Sequence, residues 1–127
     1  MKYGFSKTVS YSFEEAIEKV TAELAKEGFG VLTTIDIQST LKKKLNVDFS
    51  KYTILGACNP LFAHKSLSAE IEIGLLLPCN VIVYEKNGST IVSAFNPGIM
   101  ETIIENPAVK PLADEVKAKL ERVIASV

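Results

Sequence analysis

Tryptophan is absent from this sequence, histidine occurs once, and cysteine occurs twice in 127 residues. So few thiols exclude the disulfide-dense framework of a small secreted domain and suit a reducing compartment. Neither sign of charge is in excess: fourteen basic residues stand against fifteen acidic ones, for a net charge of −1. That balance offers no electrostatic footprint for DNA, RNA or an anionic membrane. The one basic run, Lys42-Lys43-Lys44, is three residues long and reads as a solvated helix face. No apolar run approaches the ~20 residues that span a bilayer. Met1-Lys-Tyr-Gly-Phe-Ser6 lacks the apolar stretch of a signal peptide, so the expected location is cytoplasmic. Gly28-Phe-Gly30 follows a helical pattern rather than a strand, which removes the standard phosphate-cradling loops. No serine sits in a nucleophile elbow, and no Ser/His/Asp triad can be assembled.

What remains is ordinary globular material, 47% hydrophobic and 23% charged. Its length is that of one domain over residues 1–127, large enough to fold without a staple. Tyr3–Val9 alternates as a short strand. Ser12-Phe-Glu-Glu15 is a capping box opening a helix whose apolar residues are Phe13, Ala16, Ile17, Val20 and Leu24, with Gly28 as its left-handed stop. Gly30–Ile37 is β-branched, and strict alternation would put Val31, Thr33, Ile35 and Ile37 on one face. A small helix follows from about Ser39 to Leu45, with Asn46 ending it. Tyr52–Cys58 is a third strand. Asn59-Pro60 then reads as an N-cap followed by proline in the first turn of a helix running to about Glu70.

The strongest local signal is Asn87-Gly88 between Cys79–Lys86 and Ser89–Asn96, the signature of a type I′ hairpin. A two-residue turn predicts Lys86 opposite Ser89, Val83 opposite Val92 and Cys79 opposite Asn96. Asn96-Pro97 and Asn106-Pro107 repeat the cap-then-proline device. Leu112, Ala113, Val116, Leu120, Val123 and Val127 mark a long C-terminal amphipathic helix. The order β-α-β-α-β-α-β-β-α points to an α+β fold, a single mostly antiparallel sheet with helices packed against it.

The residues able to carry chemistry collect in the middle of the chain. Cys58 ends a strand immediately before a helix N-terminus, where the positive dipole end favours thiolate. Cys79 begins a strand after Pro78. Burial in the core competes with both roles, since free cysteine is among the most buried residue types. His64, one turn beyond Pro60, is the one side chain whose ordinary pKa lies near neutrality, and so the acid–base candidate. Cys58, His64 and Cys79 together could offer a soft set for zinc, with Asp36 or Glu70 as the fourth ligand, although the intervals match no standard module. Asp36, inside a β-branched run, caps the helix after it or faces a pocket. Asn59 and Asn96 are accounted for by capping and are candidate ligand contacts beyond that.

Glu27-Gly-Phe-Gly-Val-Leu-Thr33, Ile35-Asp-Ile37, Ile54-Leu-Gly-Ala-Cys-Asn-Pro60, Ala63-His64 and Gly74-Leu-Leu-Leu-Pro-Cys-Asn80 resemble the family catalogued as domain of unknown function 302, over essentially the whole chain. The resemblance implies an α+β domain with an antiparallel sheet, related in plan to the TATA-binding-protein-like fold, and pairing as a homodimer. It implies no activity, and the likeness in plan to a DNA-binding protein carries no function with it. The family commonly places a carboxylate before Ile35, where this chain has Thr34, so paired acids at 34 and 36 are not available.

Three expectations follow from these residues. The first is a homodimeric small-ligand or metal-binding module with Cys58, Asn59, His64, Cys79, Asn96 and Asp36 as its candidate contacts. The second is an interaction protein whose middle segment is plain core. The third is a thiol-dependent enzyme using Cys58 or Cys79 with His64. No cofactor is named by any motif.

Overall fold

In the computed structural model, which describes residues 2–127, five strands form one antiparallel sheet. They are β1 (Gly4–Val9), β2 (Gly30–Asp36), β3 (Tyr52–Cys58), β4 (Cys79–Lys86) and β5 (Ser89–Phe95), in the order β1-β5-β4-β3-β2. Asn87 and Gly88 both have positive φ, 52° and 79°, as a type I′ turn requires. The turn sets Lys86 opposite Ser89 and Val83 opposite Val92, in the register its length predicts. The ladder ends at Val81 opposite Ala94, however, and Cys79 gains no partner at Asn96. Asn96 lies beyond β5 and is engaged elsewhere. Its N–H donates to the Tyr3 carbonyl at 2.9 Å, and its side-chain amide donates to the Lys2 carbonyl at 2.9 Å.

Strand β2 departs from strict alternation. Val31 faces Ala57 and Thr33 faces Gly56, so Leu32 is an extra residue in a β-bulge. Beyond the bulge Thr33 and Ile35 lie on the face opposite Val31, which corrects the expected grouping. Ile37 is already helical, the first residue of α2 (Ile37–Leu45).

The helix ends are built from the predicted side chains. Ser12 accepts from the Glu15 N–H at the start of α1 (Phe13–Lys26). Gly28, at φ 86°, ends it. Asp36 accepts from the Ser39 N–H at 2.9 Å and caps α2, and Asn46 stops that helix in the left-handed region. Asn59 caps α3 (Pro60–Ala69) with Pro60 in its first turn. A 3₁₀ turn over Ile71–Leu76 leads to β4, and another over Pro97–Ile99 runs into the short helix α4 (Met100–Ile103). The last element is α5 (Val109–Ser126).

Helices α1 and α5 lie on one face of the sheet and touch each other, α1 over β2, β4 and β5 and α5 over β1 and β5. Ala16, Val20 and Leu24 from α1 and Val116, Leu120, Val123 and Ile124 from α5 meet Leu55, Val81, Val83 and Val92 in one buried cluster. Each of these valines, leucines and isoleucines, fully buried, contributes about 1.5–3 kcal/mol by leaving water. Among the described residues the other face carries no such cluster, although Phe95 at its end packs against the buried ones. The register lays Ile35, Ile54, Ile82, Ser93 and Ser6 in one row across it, and Tyr52, Tyr84, Ile91 and Thr8 in the next. These isoleucines and tyrosines stay partly exposed, Ile35 to 44%. Helix α2 touches β2 and β3 but buries none of its own residues, so it flanks this face rather than covering it.

Gly56, on that uncovered face, sits where the chain leaves no room. A Cβ there would overlap Thr33 Oγ1 and stand 2.9 Å from Pro78 Cγ. Gly56→Ala is expected to lower unfolding stability by about 1–3 kcal/mol in urea titration, the usual cost of overpacking. Adding Thr33→Ala should recover part of that loss by removing the overlapping atom.

Candidate ligand-binding site

The end of the sheet where β3 finishes and β4 begins is not capped by α1 or α5. Helix α3 and the Ile71–Leu76 turn close it instead, and the closure is incomplete. Between them, α4 and the first turns of α5 lies a cavity of about 370 Å³. Its wall is Phe29, Ala57, Phe62, Ile73, Cys79, Met100, Val109, Ala113 and Val116 on the inside, with Leu32, Thr33, Cys58 and Pro78 toward solvent. Small side chains explain the space. Ala57, Ala63, Gly74 and Ala113 stand where larger residues would have filled it. No wall residue is Asp, Glu, Lys, Arg or His, and the wall's polar side chains besides the two thiols are Thr33, Asn59 and Ser66.

The cavity brings together three of the six predicted contacts: Cys58, Asn59 and Cys79. Antiparallel pairing sets Ala57 opposite Cys79, so the two cysteines sit on adjacent strands one position out of step. Both are free thiols, Cys58 half-buried and Cys79 buried. Burial pushes the Cys79 thiol up to about 11, and the neighbouring Cys58 adds to the shift. Asn59 spends its side chain on structure. Its Oδ1 accepts from the Phe62 N–H at 3.5 Å while Nδ2 donates to the Glu27 carbonyl at 3.2 Å, tying α3 to the end of α1.

The remaining three lie elsewhere. His64 is exposed on α3 and absent from the cavity wall, whereas Ala63 and Leu67 of the same helix line it. Among the described residues no three His, Cys, Asp or Glu side chains converge as metal ligands would. Asp36 is exposed at the α2 cap. Asn96 is buried beside Pro97, a wall residue, with its Oδ1 accepting from the Gly98 N–H at 2.9 Å. Sequence reasoning missed Phe29, Phe62, Met100 and Ala113, because an apolar residue lining a void carries the same signal as one packed in the core.

Charge gathers outside the wall and holds its supports in place. Arg122 grips Glu27 with two bonds, Nη2 to Oε1 at 2.9 Å and Nε to Oε2 at 3.2 Å, which holds that carboxyl below its ordinary pKa. Lys65 and Lys119 stand 5.6 and 5.9 Å from the centre of the Phe62 ring.

Comparison with known proteins agrees with the fold. No curated protein matches the chain. The crystal structure of an uncharacterized conserved protein DUF302 from Bacillus stearothermophilus matches with a TM-score of 0.92 at 30% identity, covering 99% of this chain and 98% of that one. The family model described as "Domain of unknown function DUF302" matches residues 5–127. A match over nearly the whole length, in sequence and in fold, shows that the chain belongs to the DUF302 family.

Proposed function

We propose that the chain is a homodimeric binding module, at work in the cytoplasm, for a small, neutral and largely apolar molecule. The observation that carries this reading is the cavity: about 370 Å³, walled by aromatic, aliphatic and sulfur-bearing side chains and free of charged ones. Small-molecule sites fall between about 300 and 1,000 Å³ and are lined in this way, with a few polar groups for orientation. Thr33 and Ser66 are those groups here, Asn59 being engaged by the α3 cap and the Glu27 carbonyl. An ionic ligand would lose its hydration without meeting a counter-charge. A metal held by Cys58 and Cys79 would need further ligands that His64 and Asp36 do not reach from their exposed positions.

The homodimer rests on the uncovered sheet face. Its rows of isoleucine, tyrosine, serine and threonine include no charge short of Lys86 at the hairpin end, so the face matches a second copy of itself without like-charge repulsion. Five strands at ~4.8 Å and three side-chain rows, the third holding Thr33, Gly56 and Asn80, give roughly 20 by 20 Å in projection. Side-chain relief and the flanking exposed Leu45, Val47 and Phe49 extend it toward the ~800 Å² per partner of a standard interface. Sedimentation equilibrium is expected to return twice the 13.8 kDa chain mass, and Ile82→Lys to return the single mass with the fold intact.

The neutral fluorophore N-phenyl-1-naphthylamine should brighten on binding the protein with a micromolar dissociation constant. Ala113→Leu, which fills the cavity, should weaken that binding at least ~10-fold while leaving the thermal transition unchanged or raised, as cavity filling does. No brightening with the parent protein would remove the ligand reading.

The thiol-enzyme alternative, which could use Cys58 or Cys79, meets an obstacle at Cys79. A thiol pushed up to about 11 is protonated at neutral pH and is no nucleophile. Iodoacetamide at pH 7.5 should leave Cys79 unlabelled in the folded protein, read by peptide mass spectrometry. Its labelling rate should climb about tenfold per pH unit toward 11, because thiolate is the reacting form. Rapid labelling at pH 7.5 would revive the enzyme reading.

A further inference from the structure

Cavity and sheet face share an edge. Thr33 pairs with Gly56, and Gly56 pairs with Asn80, which makes a third row across the uncovered face beside the Ile35–Ile54–Ile82 row. Thr33 and Pro78 overhang Gly56 from either side, as the space around its missing Cβ shows. Cys58 lies two residues beyond Gly56 along β3 and therefore on the same face. Thr33, Pro78 and Cys58 are at once the last residues of this face and the solvent side of the cavity wall. Leu32, the bulged residue, lines the cavity while 68% exposed.

We infer that the second copy of the chain forms the outer closure of each cavity, so that ligand binding and dimerisation are linked. The inference rests on the homodimeric binding module proposed above and adds the coupling between its two halves. Two residues along a strand cover about 7 Å, so a partner seated on the isoleucine row lies one row from the cavity mouth. Sheets packed face to face stand ~10 Å apart with their side chains interleaved, which brings the partner over Thr33 and Pro78. Water then leaves the mouth, and the exposed side of Leu32 gains an apolar neighbour. In the separated chain the same ligand keeps one flank in solvent. Binding free energies are reciprocal, so whatever factor the dimer adds to ligand affinity, the ligand adds to dimer affinity.

The test follows N-phenyl-1-naphthylamine affinity as the parent protein is diluted through its dimer dissociation constant, with sedimentation velocity run with and without saturating fluorophore. The expected result is an affinity about tenfold weaker in the monomer and a dimer dissociation constant lowered by the same factor under saturation. Ile82→Lys should show the weaker affinity at every concentration and a faster release of the fluorophore. A dimer that binds with an affinity independent of dilution would overturn the coupling while leaving the binding module standing. A chain that stays monomeric at all concentrations, or that never binds the fluorophore, would overturn the coupling together with the corresponding half of the proposed function.

Discussion

Two helices have to cover one face of five strands, and the rest of the molecule follows from how they do so. A helix with its side chains is about 10 Å across, so α1 and α5 together cover roughly the 20 Å that five strands occupy. They settle over the middle of the sheet, α1 reaching β2 and α5 reaching β1, and Val81, Val83 and Val92 beneath them are fully buried. The far end, where β3 runs out at Cys58 and β4 begins at Cys79, falls outside their footprint. Helix α3 and the 3₁₀ turn after it are the cover for that end. Glu27 fixes the joint: its carboxylate holds Arg122 of α5 while its carbonyl accepts from Asn59 of α3. One residue at the end of α1 thereby positions two other helices, and the gap they leave is the cavity.

That origin decides the chemistry of the site. A void produced by small residues among core elements inherits the core's composition, so it is apolar and holds its polar groups at the rim. It also makes the thiols unlike each other. Cys79 points into the helix-covered layer and titrates far above neutrality, whereas Cys58, one step out of register, looks toward the uncovered side. The pair thus spans the thickness of the sheet at its open end.

Much of the frame was legible in the residues because it is written in local chemistry. Ser12, Asp36, Asn59 and Gly28 each cap or stop a helix in the predicted way, and Asn87-Gly88 fixes the register of β4 and β5. What could not be read has no local signature. The bulge at Leu32 falls in an ordinary Val-Leu-Thr-Thr run without glycine or proline, and it reverses the faces of every later residue in β2. The predicted Cys79–Asn96 pair is missing because the β4–β5 ladder ends at Val81 and Ala94, while Asn96 bonds to Tyr3 and Lys2, over ninety residues away in sequence. His64 shares a helix with four cavity residues, Phe62, Ala63, Ser66 and Leu67, and a rotation about the α3 axis is all that separates wall from solvent. A cavity is an absence of volume, which no motif encodes.

The bulge in β2 has one more effect, on how the sheet meets other chains. Strand β2 is an outer strand of the sheet, and a regular outer strand is a template onto which further strands can be stitched by backbone hydrogen bonds. The extra residue at Leu32 throws the spacing of its free amides and carbonyls out of step midway along the strand. Growth sideways into a continuous ribbon is discouraged there. A local irregularity of one residue therefore works against open-ended filament growth along this edge.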